Sequence, residues 1–500
     1  MRGGIRLNGP DGTVVRLFVV LPMLSQDGGA HKLVWGCKGG SGTKFCMLCA
    51  NLVAEASGLT DEDGLDILVC SVIHEHQLIF SSDADIRASI ARLDRYKLTG
   101  SPGDFKLRQQ AIGFTHQSDG LLNDATLESA VFPASQYCHD WMHCIFASGV
   151  FNIVVFSGFQ AAKEARTNVW AVLRDCVLKC TWPHTIRFKP SVSDRLSADR
   201  VKAHTKAKQF KCTASDGLSL LPVMCLFVQS VLVRVNNIDH RALNALVLLN
   251  DLVDAMVAVT LGVVSVQYLR ERVREFLVAV ETAGWRPHLI PKFHWLIHLI
   301  HALDRRGKPP TCWVHERKHR MVKRYGEDIL NTRAYAASVL SETISHQLVE
   351  VGEDLAFDIS PGLLNARPAT KKERDCCLNS LGMPHADASV LTSVSARLHT
   401  GSVSVKTDVV LIKSNDAINF VVGQVWLFAS VEELDIALVS LWELDSYSQT
   451  LGKATWRIVD RPLILGIEDL LCSVIWSETS PGIANTLVPY QFRGLQAVAE

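Results

Sequence analysis

Residues 37–49 read CKGGSGTKFCMLC. Cys46 and Cys49, two residues apart, put both sulfurs on one side of a turn, where they can clasp one zinc ion. Such a pair is half of a tetrahedral site; alone, it reads equally well as two semi-buried thiols. Far along the chain, PKFHWLIHLIHAL at 291–303 carries His294 and His298 four residues apart. On a helix that spacing places both imidazoles on one face, although by itself it reads more simply as an amphipathic helix with solvent-facing histidines. Two cysteines and two histidines together complete a closed structural zinc site, so each half strengthens the other. Cys37 and His301 are spare ligands.

Working outward, a chain of 500 residues suggests about three domains. It is 48% hydrophobic and 20% charged, with 17 Pro and 32 Gly, a globular composition rather than a disordered or fibrous one. Lys+Arg and Asp+Glu both number 51, which excludes a wholly basic DNA-coating protein or an acidic tail protein while leaving room for local patches. No uninterrupted apolar run reaches the about 18 residues of a membrane span. The nearest, Ala242–Val266, is broken by Asn244, Asn250, Asp251 and Asp254. Met1–Gly12 lacks a signal-peptide pattern. The expectation is a soluble intracellular chain without a membrane partner. Its 14 cysteines then read as reduced thiols, a few of them metal ligands.

Thr13–Met23, rich in β-branched residues and bounded by Gly12 and Pro22, reads as one buried strand delivering the chain to Asp27. From about residue 83 to 350 helical spacing dominates. Tyr268–Glu281 is amphipathic and stops at Gly284 and Pro287. PGLLNARPATKKERD, 361–375, reads as a linker. After it, Ser402–Val405, Val409–Lys413, Phe420–Phe428, Ala437–Trp442 and Thr455–Val459 are β-rich runs separated by turns, suggesting a small barrel or sandwich.

Two further motifs carry chemistry. WVHERKHRMVKR, 313–324, holds a single acid, Glu316, among Arg317, Lys318, Arg320, Lys323 and Arg324. Such a helix can lay cations along a phosphate backbone while its carboxylate holds a divalent metal, or simply be a solvated helix with internal ion pairs. A second basic stretch, Arg187–Lys211, reads as a loop that is exposed or tracks nucleic acid. In CHDWMHC, 138–144, Asp140 and His143 stand three apart, a spacing that suits a metal or a carboxylate–imidazole hydrogen bond. Gly-x-Ser-x-Gly, Walker, dinucleotide and His-Glu-x-x-His signatures are absent.

Taken in order, these pieces resemble a DDE-type DNA transposase, closest to the CACTA (En/Spm) group and more distantly to Transib elements and the antigen-receptor recombinase. The series is a strand ending in Asp27, the Gly-rich stretch into Cys46-x-x-Cys49, Asp140-x-x-His143 with Met142, KQFKCTASDGLSLLPV at 208–223, His294-x-x-x-His298, then Glu316 in a basic helix. It covers roughly residues 15–350. The resemblance implies an α/β fold: a partial ribonuclease H-like core interrupted by a large, mostly helical insertion, followed by a small β-rich domain. The implied boundaries are 1–60 for the partial core, 61–285 for the insertion, 286–355 for the returning segment, 356–394 for a linker and 395–500 for the β domain. It further implies Asp27 as the second catalytic aspartate, Glu316 as the closing glutamate, Asp140 and His143 in support, and Cys46, Cys49, His294 and His298 as zinc ligands. Three carboxylates in such enzymes hold two Mg or Mn ions. The first aspartate belongs on a strand well upstream of Asp27, and Asp11 sits in a turn too close to it. The sequence therefore reads as a transposase-derived DNA-binding relic, nuclear and of little cleavage activity, acting on transposon ends or non-specific DNA, with homo-oligomers implied by the resemblance. The alternatives are a zinc-stabilised scaffold that kept the fold and lost the chemistry, and a helical adaptor.

Overall fold

The computed structural model describes residues 5–8, 13–17, 21–59, 68–69, 75–184, 186, 194–307, 322, 326–327, 329, 333–352, 360–383, 387–414 and 420–493. They form a mixed α/β chain, helical through its middle and antiparallel β after residue 389. Two compact units emerge: residues 1–153 with 266–314, and residues 154–265 with 315–500. The expected boundaries 61–285 and 286–355 do not follow this division, because the helix Val266–Thr282 belongs with the first unit.

In the first unit, β1 (Ile5–Asn8) and β2 (Val14–Leu17) make an antiparallel hairpin, and β3 (Leu24–Gln26) follows. The reading of Thr13–Met23 as one buried strand is thereby corrected. Val14 is 50% exposed, and Pro22, which has no N–H to donate to a ladder, separates β2 from the strand that leads to Asp27. A short parallel pair, β4 (Leu52–Val53) and β5 (Leu68–Val69), lies beyond the knuckle. β6 (Tyr137–His139) then runs parallel to β3, with Leu24 opposite Tyr137 and Gln26 opposite His139. Each of these two strands ends in an aspartate that caps the next helix. Asp27 Oδ1 accepts from the Ala30 N–H at 2.6 Å to start Gly28–Trp35, and Asp140 Oδ2 accepts from the His143 N–H at 2.9 Å to start Trp141–Ile145. Both satisfy orphan helix-start donors. The helix Pro291–Arg306 opens on proline and ends at Gly307 with φ of 73°, the left-handed stop glycine favours. It buries Phe293, Leu296, Leu299, Ile300 and Leu303, and Phe293 stacks on Phe276 of Val266–Thr282.

In the second unit the helices Val169–Lys179, Ala198–Ala207, Ala214–Ser230 and His240–Thr260 bury apolar faces. The loop reading of Arg187–Lys211 is corrected over 198–207, which is helical with His204 buried; residues 187–193 lie outside the described residues. Three helical stretches, Trp141–Ala165, Ala214–Arg234 and His240–Thr260, are long and apolar enough to cross a membrane, and more than half of each apolar window is buried within the fold. Requiring an uninterrupted apolar run missed them, because a helix keeps its apolar character through scattered residues such as Asn152 and Asn250.

The expected linker is structured. β7 (Gly362–Leu364), β8 (Arg367–Pro368) and the helix Lys371–Ser380, opened by a Thr370–Glu373 capping box, occupy it. β9 (Val390–Ser393), β10 (Ser395–Arg397), β11 (Val403–Val405), β12 (Val409–Lys413), β13 (Phe420–Val431), β14 (Leu434–Ser448), β15 (Lys453–Gly466), β16 (Leu470–Ser473), β17 (Trp476–Ser480) and β18 (Ile483–Leu487) follow. The large sheet runs β16-β12-β13-β14-β15-β18-β17, with β9 on β13 and β8 on β9, while β7, β10 and β11 form a smaller sheet. Among the described residues no pairing joins β16 to β17, so this is an open antiparallel sheet rather than a closed barrel. Alternation puts Val410, Ile412, Val425 and Phe428 in one buried cluster and Val409, Leu411, Phe420 and Trp456 in another.

Trp456 is fully buried, and its indole N–H donates to Thr486 Oγ1 at 2.8 Å. Thr486→Val keeps the shape and removes the acceptor. Chemical denaturation should show a loss of about 1–3 kcal/mol, largely restored in Thr486→Ser. An unchanged midpoint for the valine variant would contradict this.

Candidate metal centre

Cys46, Cys49, His294 and His298 meet in the first unit, their ligand atoms all within 4.8 Å of one another. Cys46 Sγ lies 3.2 Å from His298 Nε2, and Cys49 Sγ lies 3.4 Å from both His294 Nε2 and His298 Nε2. The two Nε2 atoms are 2.9 Å apart. Bonds of about 2.0–2.3 Å around a tetrahedral zinc give ligand–ligand edges of about 3.3–3.8 Å. These separations are that polyhedron slightly contracted, and the donor set is that of a structural zinc site. His294 and His298 are buried, which corrects the solvent-facing reading of their helix. Phe45 and Phe80 set ring edges against His294 and His298.

Electrostatics point the same way. Burial opposes ionisation of Cys46. The hydrogen bond from Cys49 and then the neighbouring His298 and His294 imidazoles nonetheless hold its thiol well below the ordinary value. Cys49 is driven upward by its hydrogen bond to Cys46 and then by burial. Burial pushes His294 down, favouring the neutral imidazole that ligates metals. A zinc ion held by this group would neutralise both thiolates.

The spare ligands serve elsewhere. Cys37 Sγ donates to the His31 carbonyl at 3.5 Å, and burial pushes its thiol up to about 11. His301 Nε2 lies 2.8 Å from Glu75 Oε1, with its ring against Phe80. Among the described residues, the Cys46–Cys49–His294–His298 group is the one set of three or more His, Cys, Asp or Glu able to hold a metal.

The same helix covers the ends of β3 and β6. Trp295 stacks on His139, ring centroids 4.3 Å apart, and lies against Gly28, where an added Cβ would meet its ring at 3.2 Å. Asp27 and Asp140, one residue past the register pair Gln26–His139, therefore sit beside the metal centre's helix. Asp140 is buried and its Oδ2 also bonds His143 Nδ1 at 2.6 Å, so the expected carboxylate–imidazole pair is present. Asp27 is partly exposed. Lys292, unremarked in the sequence, donates to the His143 and Ala147 carbonyls at 2.9 and 2.6 Å. Burial lowers its ammonium, opposed by the charges of Cys144, Asp27 and Asp140. His31 and His139 were equally unremarked. His31 Nε2 donates to the Cys138 carbonyl at 3.0 Å and its ring stacks on Tyr137, while burial pushes it down to about 4. The one sequence signal for these residues was their adjacency to the motifs. Glu316, Arg317, Lys318, Arg320, Lys323 and Arg324 lie outside the described residues. No protein-family model and no curated protein matches the chain.

Proposed function

We propose that the protein is a transposase-derived, zinc-stabilised DNA-binding protein: a relic of a DDE-type phosphodiester cleavage and strand-transfer enzyme that acts in the nucleus without cutting DNA. The observation that carries this reading is the convergence of Cys46-x-x-Cys49 with His294-x-x-x-His298 beside two parallel strands, each ending in an aspartate. A ribonuclease H-like core needs carboxylates at neighbouring strand ends, and a distant acid-bearing segment needs a rigid tether. Zinc held by Cys46, Cys49, His294 and His298 would supply that crosslink. In the resemblance, Glu316, 18 residues beyond His298, takes the part of the closing glutamate.

The state of the carboxylates favours lost chemistry. A two-metal site needs acidic oxygens open to ions and their waters. Asp140 is instead buried and committed to His143, and Asp27 caps a helix. Lys292 adds a positive charge near both. DNA binding is assigned to the 313–324 segment, and its assembly into homo-oligomers is part of the proposal. No membrane partner is invoked, because the long apolar helices bury most of their apolar windows within the fold.

The test is a plasmid nicking and strand-transfer assay with Mg²⁺ or Mn²⁺. The full chain should give no product above background. Metal-dependent nicking abolished by Glu316→Gln would overturn the inactivity. Absence of any binding to duplex DNA would overturn the DNA-binding reading and leave a zinc-stabilised scaffold.

A further inference from the structure

From His31 to Ala54 the chain carries Lys32, Lys38 and Lys44 and no acidic residue. The fold gathers these cations around the Gly-rich turn that precedes the metal ligands. Lys32 lies across Gly39, where an added Cβ would fall 2.7 Å from its Cε, and its ammonium donates to Ser41 Oγ at 2.8 Å. Lys38 lies across Gly42, whose Cβ would fall 2.4 Å from Lys38 Cβ. Glycines at 39 and 42 are thus what let two lysine stems pack over the turn, and φ of 58° at Gly39 reinforces the requirement there.

The helix Pro102–Ile112 extends the patch. The Lys38 N–H donates to the Gly113 carbonyl at 2.8 Å. Lys44 packs on the same glycine, whose Cβ would fall 3.1 Å from Lys44 Cβ. That helix presents Lys106, and Arg92 of Asp83–Thr99 stands near Lys44. Burial lowers the Lys44 ammonium, opposed by Cys46, Cys49 and Asp85, while burial and then Lys106 lower the Lys38 ammonium. The cluster gathers five cations with Asp85 and Asp104 as neighbouring acids, on a chain whose formal charge is zero.

We infer that Lys32, Lys38, Lys44, Arg92 and Lys106 form a second contact surface, which grips the phosphate backbone of duplex DNA beside the metal centre. The inference rests on the DNA-binding reading above and adds a location outside the 313–324 segment. Several lysine ammoniums on a rigid turn, with a neighbouring hydroxyl, suit closely spaced phosphates and carry no base-reading geometry. Contacts there are independent of sequence and release counterions, with a salt slope of about 0.9 per phosphate neutralised.

The experiment compares the full chain with Lys32→Gln/Lys38→Gln/Lys106→Gln, whose substitutions keep the stems and spare the residue next to the metal knuckle. A second triple variant, Lys371→Gln/Lys372→Gln/Lys413→Gln, loses the same charge elsewhere. Binding to an unrelated-sequence duplex is followed by fluorescence anisotropy across a salt series, with zinc content and melting temperature as folding controls. The patch variant should bind at least tenfold more weakly, with a log–log salt slope shallower by about 2–3, while the control variant stays near wild type. DNA binding by the wild type that is unchanged in the patch variant, or equally weakened in the control, would overturn the patch and leave the DNA-binding reading standing. A wild type that binds no duplex would overturn that reading and the patch with it.

Discussion

The purified protein should carry one zinc ion per chain, and Cys46→Ser or His298→Ala should abolish stoichiometric retention. The metal-free chain should lose several kcal/mol of stability, with the first unit affected most. Structural zinc sites contribute an apparent about 10–16 kcal/mol in small domains. A larger unit keeps part of its fold without the ion, so only a share of that should be lost. Geometry says why the share is large. The helix Pro291–Arg306 contributes both imidazoles, stacks Trp295 on His139 and tethers Lys292 to the His143 and Ala147 carbonyls. Freeing its metal end leaves two thiols and two imidazoles buried with chiefly one another as partners. Elemental analysis gives the stoichiometry, and melting with and without a strong chelator gives the loss. Cobalt substitution should show the ligand-field absorption of a tetrahedral S₂N₂ site. Protein without zinc that melts identically with chelator, and takes up no cobalt, would remove the basis for relating this chain to zinc-tethered transposases.

How legible the fold was depended on whether local pattern decided each element. Tyr268–Glu281 was readable because its 3.6-residue apolar period is a local signal; it corresponds to Val266–Thr282. The strand Val409–Lys413 was read to the residue. The Cys46, Cys49, His294 and His298 group, which could hold zinc, was readable for a different reason: its spacing carries ligand chemistry, independent of the secondary structure around it. Sequence pattern could not show that β3 and β6 pair in parallel, because three-residue strands have no period and their partnership is set over more than a hundred residues. The stretch 361–375 looked like a linker because Pro361, Gly362 and Pro368 are turn residues. Yet Thr370 and Glu373 form a capping box, a signal present in the sequence and passed over. Lys292 could not have been found at all, since its carbonyl partners come from a segment adjacent only in space.

Stability of the second unit should fall as pH rises from about 4 to 7, and Asp254→Asn should flatten most of that slope. Asp254, on the helix His240–Thr260, pairs with Arg493 at 3.5 Å and accepts from Asn250 Nδ2 at 2.8 Å. Burial raises its carboxyl to about 7; Arg493 opposes the shift, and Asp251 on the same helix adds to it. Cys225 of Ala214–Ser230 faces the same spot, its thiol pushed above the usual range by burial. Arg493 is itself fixed: its Nε donates to the Val488 carbonyl at 3.0 Å, and its guanidinium fills the space over Gly452, where a Cβ would fall 2.3 Å from Cζ. Arg493 offsets only part of the effect of burial. An unfolded aspartate titrates near 3.9, so between that pH and about 7 the native state holds more protons than the unfolded one. Stability is therefore greatest below the unfolded value and declines as pH climbs toward the native one. A shift of this size corresponds to about 4 kcal/mol at most, and solvent contact at the 15% exposed side chain brings the expected span to roughly 2–4 kcal/mol. Denaturant unfolding of wild type and Asp254→Asn at pH 5, 6, 7 and 8 isolates the contribution as a difference of differences, so other titrating groups cancel. Arg493→Met supplies the opposite sign: without the opposing cation the acid should be still easier to protonate, and the wild-type decline should steepen and extend above pH 7. Parallel stability curves for wild type and Asp254→Asn would show that the carboxylate does not titrate in this range and that its pairing with Arg493 outweighs its burial.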